Sequence, residues 1–388
     1  MKRSPIWSRG FRPFFLGATS YATLSMLAWL AVYRFGLPID FSGITPSQWH
    51  AHEMIFGFAV AVIAGFLLTA AWNWTGRRTA SGASLALIFT AWAIGRILML
   101  CGTQLLWWAA AADFAFMLGL TFAIARPIFR ERQKRQAPIL LILLLLTAAN
   151  MTFYLGAAGW IPGGADYGVR GGLYLVLGLV LLMGARVIPF FTERGVGYEV
   201  RLRRQRWNDV MSATLFPLFA LSELSLPGHL IGALLAAALM ILNSIRVSGW
   251  HTLGIWQKPL LWGLFGSFLM INLGFLLRAL MPVTAIPDFL PTHAFTVGGI
   301  GLVTLSMMMR VTLGHTGRNV HRSPAAVTLV LLGMVLAGVI RVFLPLVDAS
   351  HYPLWIVLSG CAWVISFSLF LVCFGPVLVR PRADAKPD

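Results

Sequence analysis

Trp49-His50-Ala51-His52-Glu53-Met54 is the most informative run in this chain. It opens a long apolar segment, where ionisable groups are costly to bury and mark function by default. Residues two apart on a helix point about 200° from one another at 3.6 residues per turn. His50 and His52 therefore cannot both reach one metal, and would serve two sites. Met54 follows His50 by one turn, and an imidazole and a thioether on one face suit copper. His52 has Phe56 one turn below it, a flat surface compatible with a porphyrin edge. Glu53 stands where it would orient a ligating imidazole from behind.

His293 begins another apolar segment, entering from the same side as His52. Two neutral imidazoles at equal depth on parallel-running helices are what a six-coordinate haem b requires. The alternative is a pair of interfacial histidines hydrogen-bonded to backbone or lipid. Arg96, Arg278 and Arg341 sit near the same ends of their segments. Guanidinium groups match carboxylates bidentately, and the two haem propionates need such partners near the water interface. Snorkelling toward phosphate head groups is the alternative.

Other polar groups have two readings each. His251, His315 and His321, with Arg310, Arg318 and Arg322, form either a metal or anion patch or a set of solvated loop residues. His229 and His351 are either copper ligands or interfacial residues. Asp113, Asn150 and Asn272 either relay protons or join helices through hydrogen bonds; for the two asparagines joining is preferred.

Long apolar helices must position all of these. Hydrophobic residues make up 58% of the 388-residue chain and charged ones only 11%, whereas soluble domains run near a quarter charged. A span needs about 20 apolar residues, and such segments recur at 14–33, 49–71, 83–101, 105–125, 138–158, 170–190, 209–226, 229–247, 259–281, 292–313, 325–346 and 353–379. The expectation is an all-α, polytopic membrane bundle of about twelve helices forming a single integral membrane domain over 1–388. The seventh and eighth spans are the weakest, because the turn at Ser222 to Gly228 is brief. The apolar run from Phe14 reads as a retained first helix rather than a signal peptide.

The net charge of +17 suggests nucleic acid, but its distribution excludes it. On these spans only Arg34, Arg96, Arg170, Arg278 and Arg341 lie outside the segments assigned to the cytoplasm. That is the positive-inside bias, with basic loops facing lipid head groups and both termini cytoplasmic. Cys101, Cys361 and Cys373 have no metal-ligand or redox spacing and read as small hydrophobes in the membrane. No phosphate-binding loop, dinucleotide fingerprint or nucleophile elbow occurs. A faint repeat links His52, Gly57 and Arg77 to His293, Gly298 and Arg318 at identical intervals, with a weaker copy at Arg186 to Arg194. These fall on every fourth helix and suggest three four-helix units.

Three stretches resemble the NnrS family: Arg9-Gly10-Phe11-Arg12-Pro13-Phe14-Phe15-Leu16-Gly17, Trp49-His50-Ala51-His52-Glu53-Met54-Ile55-Phe56-Gly57, and Arg310-Val311-Thr312-Leu313-Gly314-His315-Thr316-Gly317-Arg318. The resemblance implies a bacterial inner-membrane protein containing haem and copper, tied to denitrification and the nitric oxide response, with nitric oxide as a ligand to bind, sense or turn over. The chain is also similar to subunit I of haem–copper oxidases and nitric oxide reductases in helix number and in histidines on helices 2 and 10. It departs from them in having no histidine on helices 6 and 7, where those proteins hold copper, and fold analogy transfers no activity. The rival reading is a twelve-helix secondary transporter without a redox cofactor, which predicts a 6+6 repeat.

Overall fold

The computed structural model describes residues 4–385, and the described residues form helices without strands. Twelve long helices follow one another: α1 (Phe11–Phe35), α2 (Pro46–Thr75), α3 (Ala83–Leu100), α4 (Leu106–Arg130), α5 (Ala137–Ala157), α6 (Gly164–Gly195), α7 (Arg206–Ser225), α8 (Leu230–Trp250), α9 (Pro259–Leu280), α10 (Phe289–His315), α11 (Ala325–Val342) and α12 (Tyr352–Val379). Each expected span falls on one of them. All but α7 are long and apolar enough to cross a membrane, so the chain is a multi-pass membrane protein. The exception is one of the two spans that read weakest in the sequence. Arg206, Asp209 and Glu223 lower the apolarity of α7, and two of these charges are neutralised by neighbours: Glu223 by Arg278 of α9, and Asp209 by Arg246 of α8 at 3.0 Å.

Local signals explain the helix limits. Thr45 accepts from the Gln48 amide while the Gln48 side chain accepts from the Thr45 amide, a capping box that starts α2 with Pro46 in its first turn. Gly36 and Gly76, both left-handed, end α1 and α2. Two helices are wound irregularly. In α2 the stretch Glu53–Ala59 is π-helical, and in α10 so is Ala294–Gly301. Each begins at the residue after a histidine of the faint repeat, His52 and His293. π segments inside α-helices concentrate at functional positions.

The contacts divide the chain into two compact units rather than three four-helix ones. One comprises Met1–Val176, Val311–Arg318 and Phe367–Asp388; the other comprises Leu177–Arg310 and Asn319–Ser366. The single 32-residue helix α6 contributes to both units.

In the first unit, Phe11, Phe14 and Phe15 of α1 are fully buried, with Phe14 edge-on to Phe89 at 5.5 Å. Arg12 is fully buried too. Its Nη1 donates to the carbonyls of Leu378 and Arg380, 2.8 Å each, so a cation caps the C-terminal end of α12, where it complements the helix dipole. Arg9 Nη1 lies 3.2 Å from His315 Nδ1, and Arg382 donates to the His315 carbonyl at 3.0 Å. The opening motif and the Gly-His-Thr-Gly motif thus meet in one place. In the second unit, Phe219, Phe268, Phe275 and Phe295 are buried; Phe275 meets Phe219 at 5.5 Å and Phe295 at 5.0 Å, edge to face. Cys101, Cys361 and Cys373 are free and exposed.

Candidate functional site

In the first unit five helices deliver polar side chains to one buried network. Tyr21 comes from α1, His52 and Glu53 from α2, Arg96 from α3, Asp113 from α4, and Asn150 and Tyr154 from α5. His52, Glu53, Arg96, Asp113, Asn150 and Tyr154 are at most 2% exposed. Arg96 is the hub: Nη1 donates to both Glu53 oxygens (2.8 and 2.7 Å) and Nη2 to Asp113 Oδ1. Tyr21 donates to Glu53 Oε2, and Tyr154 to Asp113 Oδ2 at 2.8 Å. Trp92 Nε1 holds the Gly57 carbonyl inside the π segment at 2.9 Å.

Hydrogen bonds engage both ring nitrogens of His52. Asn150 Nδ2 points at Asp113 Oδ2 (3.2 Å), which turns Asn150 Oδ1 toward His52 Nε2 at 2.8 Å. His52 Nδ1 lies 2.7 Å from Glu53 Oε1.

With both ring nitrogens engaged by protein partners, His52 does not fit as a haem ligand, which needs one ring nitrogen open to the iron. Phe153 also stacks on the ring at 4.0 Å. Glu53 does sit behind the imidazole as expected, but both carboxylates act on Arg96 as well. His50 faces elsewhere, stacked on Trp29 at 4.5 Å, in keeping with two histidines serving different surroundings. The π segment of α2 begins at Glu53, between His50 and Met54. Among the described residues no group of three or more His, Cys, Asp or Glu gathers round a common point.

The second unit treats its histidine differently. His293 Nδ1 donates to the Phe289 carbonyl at 2.6 Å, so that in a neutral ring Nε2 carries the lone pair. Metal-ligating histidines are commonly fixed in this way. The Arg341 guanidinium lies over the Phe289 ring (5.5 Å) and the Tyr352 ring (5.2 Å), and its Nη2 donates to the Tyr352 hydroxyl at 3.0 Å. Arg341 is 8% exposed and its Nη1 has no acceptor. Arg278, by contrast, is held by Glu223 and by Asp288 at 2.5 Å. Of the three arginines expected to face propionates, Arg96 and Arg278 are committed to protein carboxylates and Arg341 is not.

The remaining expectations separate. Asn272 joins helices, donating to Ser244 at 2.8 Å, whereas Asn150 belongs to the charged network. His229 caps α8, and His251 accepts from Trp256 Nε1 at 3.1 Å. His351 pairs with Asp348 at 2.6 Å on the surface. Hydrogen bonds from the Ser350 hydroxyl and from His351 hold the Asp348 carboxyl below its ordinary range. Tyr21 and Tyr154 were missed. The signal was present, because a phenol within an otherwise apolar span needs a partner for its hydroxyl.

Compared with known protein families, residues 5–382 match NnrS, described as NnrS protein. No curated protein sequence matches the chain. The match spans nearly the whole chain and takes in all three motif stretches, so the chain belongs to the NnrS family.

Proposed function

We propose that this chain is a haem-binding inner-membrane protein of the nitric oxide response and of denitrification, with both termini cytoplasmic, in which His293 would supply a ligating imidazole and Arg341 a partner for a haem propionate. One observation carries the reading. His293 and Arg341 converge on Phe289, the first with its tautomer fixed by the Phe289 carbonyl, the second as a buried cation with an N–H lacking an acceptor. Family membership supports the nitric oxide association, and the positive-inside bias supports the orientation.

Haem, when bound, supplies an iron centre that takes nitric oxide or passes single electrons. His293 presents Nε2 in a fixed orientation. Arg341 would balance carboxylate charge, with Tyr352 steering its other nitrogen. In the first unit, both ring nitrogens of His52 are held, one by Glu53 and one by Asn150. Copper at His50 and Met54 stays outside this reading.

The test is the visible spectrum of protein purified from haem-replete cells, reduced and oxidised, with and without nitric oxide. His293→Ala is expected to lose the Soret band and His52→Ala to keep it. An unchanged band in His293→Ala ends the assignment. The rival reading is a secondary transporter, which predicts a 6+6 repeat; a colourless protein with substrate-dependent flux would establish it instead.

A further inference from the structure

Within the second unit a cavity of about 190 Å³ opens between the start of α9 and the loop that follows α10. Lys258, Arg310 and Arg322 line it together with His321, Ser323 and Gln257, and no acidic residue does. Its volume equals several waters at about 30 Å³ each. Arg310 lies over the Phe191 ring at 3.9 Å and forms no ion pair with a carboxylate among the described residues. The first turn of α9, Pro259 to Leu261, forms another wall. Pro259 carries no N–H, and the Leu261 amide turns back to the Lys258 carbonyl. The positive end of the α9 dipole adds to the three side-chain cations.

Three cations and a helix N-terminus around one concavity, with no carboxylate among its walls, repel one another until an anion arrives. Three buried arginines elsewhere in this molecule find protein carboxylates: Arg96 finds Glu53 and Asp113, Arg246 finds Asp209, and Arg278 finds Glu223 and Asp288. Arg310 and Arg322 offer planar, multidentate donors and Lys258 a point charge, the combination that holds phosphate oxygens. We propose that this cavity binds a phosphate group, carried either by an anionic lipid head group or by a free phosphate species.

The experiment uses full-length protein in nanodiscs. One arm adds inorganic phosphate to phosphatidylcholine discs, with chloride at matched ionic strength as reference. The other incorporates phosphatidylglycerol. Thermal unfolding is read in both, and phosphate affinity by calorimetry. Stabilisation by inorganic phosphate identifies a free-phosphate site; stabilisation by phosphatidylglycerol alone identifies a lipid site. In either case Arg310→Gln and Arg322→Gln are expected to weaken the effect about tenfold or more, while Arg310→Lys retains most of it. Arg132→Gln, a basic position in the other unit, leaves it unchanged. If Arg310→Gln does not fold, Arg322→Gln in the exposed loop carries the comparison with Arg310→Lys. The proposal is overturned if neither probe stabilises the protein beyond chloride, or if Arg132→Gln abolishes the effect equally.

Discussion

Asn150 accepts a hydrogen bond from His52 Nε2 at 2.8 Å because its own amide is committed to Asp113. The orientation of one uncharged side chain therefore sets the partner of its neighbour's Nε2. Leaving one of these buried groups unpaired costs about 1–3 kcal/mol, so Glu53, Asp113, Arg96 and His52 depend on one another.

That mutual dependence predicts how the cluster responds to substitution. His52→Ala leaves Glu53 and Asn150 each short of a buried partner and is expected to destabilise by about 1–3 kcal/mol. Because His52 and Glu53 are bonded to each other, His52→Ala combined with Glu53→Gln should lose clearly less than the sum of the singles. Chemical unfolding of the four proteins in one detergent measures this. Strict additivity would show that the two groups do not interact.

Arg278 and Glu223 are expected to behave as a pair as well. They are 4% and 1% exposed, and the pair explains how α7 keeps an acidic residue on a buried face. Arg278→Met strands Glu223 and should cost about 3–5 kcal/mol, while Arg278→Met with Glu223→Leu should recover most of it. Thermal melts of both variants check the sign. A double variant as unstable as the single would mean that packing, and not charge, holds α7 to α9.

Two adjacent glycines of α6 give predictions of opposite sign. A Cβ on Gly172 would lie 2.6 Å from Phe56 Cζ, and Phe56 is itself buried beside His52 at 5.1 Å. Gly172→Ala is therefore expected to destabilise by about 1–3 kcal/mol through overpacking. A Cβ on Gly171 would meet only Ala149 Cβ at 3.7 Å, an ordinary contact. Gly171→Ala should stabilise by about 0.5–1 kcal/mol as a helix-interior replacement. Equal melting temperatures for the two variants would contradict the packing described.

Much of this fold was legible in the sequence because a membrane span must be long and apolar, and short loops leave few other ways to divide the chain. The divergence of His50 and His52 was legible for the same reason, since helical periodicity sets it before any contact forms. The π segments were not legible. One extra residue per turn changes which side chains align, yet no residue type announces it. The arginines were half legible: their match to carboxylates holds, but nothing along the chain says that Arg96 meets Asp113 of α4 and Arg278 meets Glu223 of α7. Such pairings are properties of helix packing. The destination of Phe289, whose carbonyl and ring serve different partners, is likewise set by packing alone.

Surface carboxyls provide a pH test. Hydrogen bonds from the Ser42 hydroxyl and amide hold Asp40 below its ordinary range, and those from the Ser350 hydroxyl and from His351 do the same for Asp348. A carboxyl depressed on folding contributes stability above its unfolded value of about 3.9, and loses it as pH falls through the folded value. Both groups are open to solvent in part, so the effect is small. The melting temperature of the wild type should exceed that of Asp348→Asn near neutrality, and the gap should close below about pH 3. A gap that widens on acidification would reverse the sign.

Arg341 separates function from stability. In Arg96 and Arg278 the removal of charge strands buried carboxylates, and the protein weakens. Arg341 has only the Tyr352 hydroxyl and two aromatic faces, with Nη1 buried and lacking an acceptor. A buried cation without a counter-charge is a standing cost, and a site kept at such a cost is one that a ligand completes. Arg341→Met is thus expected to stabilise the haem-depleted protein, by about 1 kcal/mol or more, while weakening haem retention in the loaded one. The check is a pair of measurements on the same variant: the melting temperature after haem extraction, and the Soret absorbance per protein before it. Loss of stability in the depleted protein would place Arg341 with Arg96 and Arg278 as a structural cation and remove the propionate role proposed for it.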